Sequence, residues 1–135
     1  MTSRPKSFAF SMQGDLGIVV HTHRDPSPEE WSGLVEALGR IDLDSFRTLS
    51  VTEGGAPNSA QREQVNRLLG GRQRPAAVLT NHLSVRGVVT ALGWFNPLIR
   101  AFPTDGLPEA LDYLGVDRAR LPVIEAQIRR LRAQL

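Results

Sequence analysis

The sequence predicts an α/β domain: a mixed, mostly parallel five-stranded sheet that opens with an N-terminal β-hairpin, carries its helices mainly on one face, and is followed by a C-terminal amphipathic helix. Three observations lead there. Two β-like runs near the N-terminus flank the short turn Gln13-Gly14-Asp15, which is a hairpin signal. Beyond them strand-like and helix-like patterns alternate, as in a parallel sheet linked by right-handed crossovers. From Leu121 to Leu135 the apolar residues recur at steps of three and four, the spacing of a single helical face.

The first strand is read over Phe8–Met12 and the second over Leu16–His23. Ser27-Pro28-Glu29-Glu30 is a capping box with Pro at the first helical position, and Trp31, Leu34, Val35, Leu38 and Ile41 follow as one apolar stripe. The stretch from Phe46 to Gln61 is the one around which the rest is organised. Leu49 and Val51 alternate with Thr48, Ser50 and Thr52 as in a half-buried strand; Glu53-Gly54-Gly55-Ala56-Pro57 breaks it, and Asn58 opens a helix that stops at Gly70-Gly71. Val65, Leu68 and Leu69 give that helix only a thin apolar stripe, so it is expected to be the most exposed of the set, with its outer face free for a partner.

Ala76–Thr80 reads as a buried central strand. Ser84 is placed as the cap of a third helix carrying Val85, Val88, Val89, Leu92 and Phe95 and ending at Asn96-Pro97. Trp94 and Phe95 are adjacent there and cannot both face the core, which leaves one as a surface aromatic. Leu98–Phe102 is the last strand, Pro103-Thr104-Asp105-Gly106 a turn, and Pro108–Leu114 a short helix closed by Gly115. In the tail, Leu121, Ile124, Ile128, Leu131 and Leu135 form a seam of two heptads, with Arg129, Arg130 and Arg132 off it. A helix that short is marginal on its own, so the seam is expected on the body of the domain; a homodimer through 121–135 is the alternative.

The 135 residues suit one domain with one core, divided here into 1–115 as the α/β unit and 116–135 as the C-terminal helix. The absence of cysteine excludes disulfides, thiol nucleophiles and thiolate metal sites, and fits a cytoplasmic protein. No run approaches the roughly 20 apolar residues of a membrane span, and no apolar segment follows the basic residues of the N-terminus, so neither a span nor a secretory signal is expected. Fifteen of the sixteen basic residues are arginine, but the net charge is only +2, and aromatic residues do not interleave with them as base stacking requires. Nucleic acid is therefore not an expected partner.

The loop after the third strand is the candidate site, because ligands of open α/β sheets bind at the carboxyl ends of the strands. His21, His23 and His82 fall at the same edge, with His21 and His23 expected on one face of strand two. They suggest zinc or acid-base work, weighed against simple hydrogen bonding in loops. No acidic ligand stands at an obvious spacing, so no metal is expected. Gly54-Gly55 followed by Pro57 matches neither a dinucleotide fingerprint nor a phosphate loop, and Ser59 lacks a nucleophile elbow; no cofactor and no catalytic residue is assigned.

The element order, together with Ile99-Arg100-Ala101-Phe102 and Pro108-Glu109-Ala110-Leu111-Asp112-Tyr113-Leu114, resembles the STAS superfamily, and within it the SpoIIAA-like (STAS/SEC14-type) domains, over residues 5–115. The resemblance implies a (βα) superhelix. It also implies the work of that family's bacterial regulators, which bind another protein through the loop after strand three and the following helix and are switched by phosphorylation of a Ser or Thr at the helix start. Carried to this sequence, the partner-binding residues are Glu53, Gly54, Asn58, Ser59, Gln61 and Arg62, and the candidate phosphate acceptors are Ser59 and Thr52. The family's Asp-Ser-Ser/Thr-Gly pattern is absent, Val51-Thr52-Glu53-Gly54-Gly55 standing in its place. The expected function is a non-enzymatic, regulatory protein-binding module. The alternatives are a small-ligand or lipid-binding domain, which the SEC14 direction of the resemblance implies, and a small enzyme using His and Glu at the strand rim.

Overall fold

The computed structural model describes residues 6–92 and 98–135. Strands β1 (Phe8–Gln13) and β2 (Leu16–His21) form the antiparallel hairpin, paired from Phe8 opposite His21 to Gln13 opposite Leu16. Gly14 turns the chain at φ 64°, a left-handed conformation that costs glycine little. The remaining strands, β3 (Arg47–Thr52), β4 (Ala76–Leu79) and β5 (Ile99–Phe102), add in parallel, and the sheet order is β1-β2-β3-β4-β5.

Because every crossover steps to the next strand in the same direction, a single handedness puts all three crossover helices on one face. These are α1 (Pro28–Leu38), α2 (Ser59–Leu69) and α3 (Leu83–Leu92). Trp31, Leu34 and Leu38 of α1 pack with Phe8, Phe10 and Phe46, joined by Val65 and Leu68 of α2; Val85 and Val89 of α3 pack on Val78 and Ile99. The opposite face holds the larger core. There Ile18, Val20, Leu49, Val51, Ala77 and Leu79 meet α4 (Leu107–Leu114) and α5 (Leu121–Arg132), which follow the last strand and are free to cover the side the crossovers leave open.

The capping box read from the sequence is present: Glu30 N donates to Ser27 Oγ at 3.2 Å, and Ser27 N to Glu30 Oε1 at 3.0 Å. Glu30 also accepts from the backbone N and the hydroxyl of Ser7, both at 2.9 Å, so the cap ties α1 to the start of β1. Several boundaries differ by one or two residues from expectation, and two differences have a visible cause. Helix α3 begins at Leu83, and His82 rather than Ser84 stands before it, because Arg86 N already donates to His82 O at 3.1 Å. Strand β2 ends at His21, where Thr22 N reaches back to Ser7 O and the chain leaves the sheet. The end of the third helix at Asn96-Pro97, with Trp94 and Phe95, lies outside the described residues.

The tail is part of the body. Ile124, Ile128 and Leu131 of α5 are buried against the sheet, with Leu121 and Leu135 packed at their edges, so the seam predicted at steps of three and four is consumed within the chain. Val123, on the same helix, stays exposed. No helix among the described residues is long and apolar enough to cross a membrane.

Candidate functional site

The carboxyl ends of β2, β3, β4 and β5 share one border, and the segments leaving them are bonded to one another. Gly54 takes φ 125°, which releases the chain sideways from β3. Gly55 then lies against the loop that leaves β2: its N–H donates to Thr22 O at 2.9 Å, and a Cβ on it would stand 2.1 Å from Arg24 O and 2.6 Å from Thr22 O. The two glycines serve different needs, one a backbone angle and the other a close approach. Ala56 N donates to Asp25 Oδ1 at 3.0 Å, pinning the two loops a second time. On the other side Asn81 and Thr104 exchange two hydrogen bonds, of 2.7 and 3.1 Å, between the ends of β4 and β5.

Helix α2 starts where the sequence places it. Gln61 N donates to Asn58 Oδ1 at 2.8 Å, and Asn58 N to Gln61 Oε1 at 2.9 Å. Glu53, Asn58 and Ser59 are exposed, and Gly54 and Arg62 are half-exposed. Arg62 folds back over the helix start, donating from Nη1 to Pro57 O at 2.8 Å and from Nη2 to Ser59 Oγ at 3.1 Å.

Two of the expected site residues are placed differently. Gln61 is 5 % exposed and therefore offers a partner almost no surface. Its side-chain Nε2 donates to Pro26 O at 3.0 Å, and its backbone carbonyl accepts from Trp31 Nε1 at 2.9 Å, so it fastens α2 to the start of α1. Thr52, at 4 % exposed, donates its hydroxyl to Gly55 O at 2.6 Å and accepts from Gly54 N at 3.0 Å. The Thr52 hydroxyl is thus enclosed by its own loop, whereas that of Ser59 is on an exposed residue.

The histidines do not converge. His21 is buried with its ring 5.5 Å from that of Phe8, while His23 and His82 are exposed beside Gly54. His23 fails to share a face with His21 because β2 stops at His21. Burial depresses the His21 pKa to about 4, against a weaker opposing pull from Asp25 and Glu30, so the ring is neutral near pH 7. Its Nδ1 is buried without a hydrogen-bond partner. Among the described residues no group of three or more His, Asp or Glu side chains is placed to hold a metal ion. Nor is Ser59 bonded to a base, its recorded side-chain partner being a guanidinium.

A second feature was not anticipated in detail. Below α2 the helix and sheet leave a cavity of about 530 Å³, bounded by Thr48, Ser50 and Thr52 of β3 on the sheet side. Its signal in the sequence is the pairing of a hydroxyl-bearing strand face with a helix that has few apolar residues to set against it. No protein-family model matches the chain, and no curated protein or solved structure matches it either.

Proposed function

We propose that this chain is a non-enzymatic, cytoplasmic protein-binding module of the STAS, anti-sigma-antagonist type, docking its partner on the Glu53–Ser59 loop and the outward face of α2. One observation carries the reading: α2 crosses over the middle of the sheet, yet of its 11 residues only Gln61 is buried, whereas α1, α4 and α5 each bury three. The helix is held at its N-terminus by its cap and by the Gln61 bonds to α1, so it presents polar side chains from a fixed platform. Modification of Ser59 gives this surface a switch, since a phosphate there sits at a helix N-terminus beside Arg62, where its charge is tolerated locally and repels an acidic partner.

The test is affinity capture from lysate with the purified domain. Arg62→Glu and Gln64→Glu, both on this surface and both adding the sign of charge that a Ser59 phosphate adds, are expected to lose a protein that the wild type retains, while Arg130→Glu on α5 keeps it. Equal recovery by all three variants sinks the assignment, as does its loss with Arg130→Glu alone.

A further inference from the structure

We propose that the cavity beneath α2 binds an elongated organic acid, with an apolar body lying along β3 and one carboxylate held by Arg74. The site borders the proposed docking loop, sharing Ala56, Pro57 and Ser59 with it, but its charged end at Arg74 lies at the other end of β3 and does not depend on that surface. At about 530 Å³ the space falls within the range of small-molecule sites.

Its origin is physical. Thr48, Ser50 and Thr52 lie on the crossover-helix side of β3, because Leu49 and Val51 are committed to the opposite core. Helix α2 approaches through α1, with Val65 and Leu68 in the Trp31 cluster and Gln61 bonded to Pro26 and Trp31, and does not close down on β3. Phe46, Val65, Leu69, Val78, Val89 and Ile99 give the cavity an apolar stretch of wall, with Ser59, Asn66 and Gln73 at its polar parts. A molecule with a hydrocarbon or aromatic body gains by covering the apolar stretch.

Charge decides what the other end of that molecule carries. Arg62 and Arg74 line the cavity at opposite ends of β3, each half-exposed, and neither pairs with a carboxylate among the described residues. The other charged lining groups are occupied: Glu63 faces Arg67 at 3.6 Å and Arg72 faces Asp44 at 2.7 Å. Arg62 spends both terminal nitrogens on Pro57 O and Ser59 Oγ. Arg74 uses only Nε, donating to Phe46 O at 2.8 Å, which fixes the guanidinium while both Nη groups remain for a two-pronged grip on a carboxylate. The ligand body then points towards His21, whose neutral ring also lines the cavity.

Three probes separate the contributions: dodecanoate, which has body and charge; dodecanol, which has the body alone; and acetate, which has the charge alone. Binding is read by calorimetry below the micellar concentration and by tryptophan fluorescence in a Trp94→Phe chain, where the emission is that of Trp31 in the cavity wall. Dodecanoate is expected to bind at least tenfold more tightly than dodecanol, and acetate not at all. Arg74→Gln removes that preference while leaving dodecanol binding unchanged, and Ser50→Leu, which puts a larger side chain on the cavity floor, weakens both. Arg74 lies outside the sheet, so its variant keeps the test open should Ser50→Leu unfold. No uptake of dodecanoate by the wild type overturns the proposal, and so does uptake that is indifferent to Arg74→Gln or no better than that of dodecanol.

Discussion

At the scale of single residues, His21 sets a pH limit on the folded state. The unfolded imidazole takes up a proton near the ordinary value of 6.5, whereas burial holds the folded one to about 4. Between those values the unfolded chain binds more protons, so stability is full above pH 6.5 and falls as pH drops towards 4, by on the order of 3 kcal/mol over the window. Asp15 and Glu30, whose carboxyl pKa values are lowered in the fold, add their losses only further into acid. Urea unfolding at about pH 7 and about pH 5 checks this. The wild type loses stability between the two, and His21→Leu is expected to flatten most of the difference; an unchanged slope in that variant shows that the acid sensitivity comes from elsewhere.

At the scale of elements, legibility tracked how local the determinants are. Ser27 with Glu30, Asn58 with Gln61, and the glycines at 70 and 115 act within four or five residues, and the helices they bound begin and end close to where the sequence places them. The start of α3 was set instead by His82 O accepting from Arg86, which competes with the more obvious Ser84. Gln61 looked like surface because its neighbours on α2 are polar, yet its side chain bonds Pro26 O and its backbone carbonyl accepts from Trp31, which takes it inside. No local pattern records a partner 30 or more positions away. The amphipathic tail was legible as a helix, while its destination came from the sheet face left bare by the crossovers. Ile124, at 0 % exposed, marks that destination: Ile124→Ala is expected to cost about 2–5 kcal/mol in equilibrium unfolding. A loss under about 1 kcal/mol means that α5 contributes little to the core.

At the scale of the molecule, the sheet has two differently filled sides. One is a continuous apolar core closed by α4 and α5, and the other is divided between the Trp31 cluster, the α3 contacts and the space under α2. The shared edge of the strands was readable from the alternation of β and α patterns, since parallel strands with crossovers must end together. What lies beneath α2 was not, because a void depends on how far a helix stands from a sheet, and residue types alone do not set that distance. The position of α5 has a further consequence during synthesis. It shields Ala9, Leu16, Ile18 and Val20, which leave the ribosome more than a hundred residues earlier than Ile124 does. A growing chain therefore carries a greasy, half-built sheet until its final helix emerges, and stalled nascent chains ending before Leu121 are expected to recruit chaperones that chains reaching past Leu135 through a spacer do not.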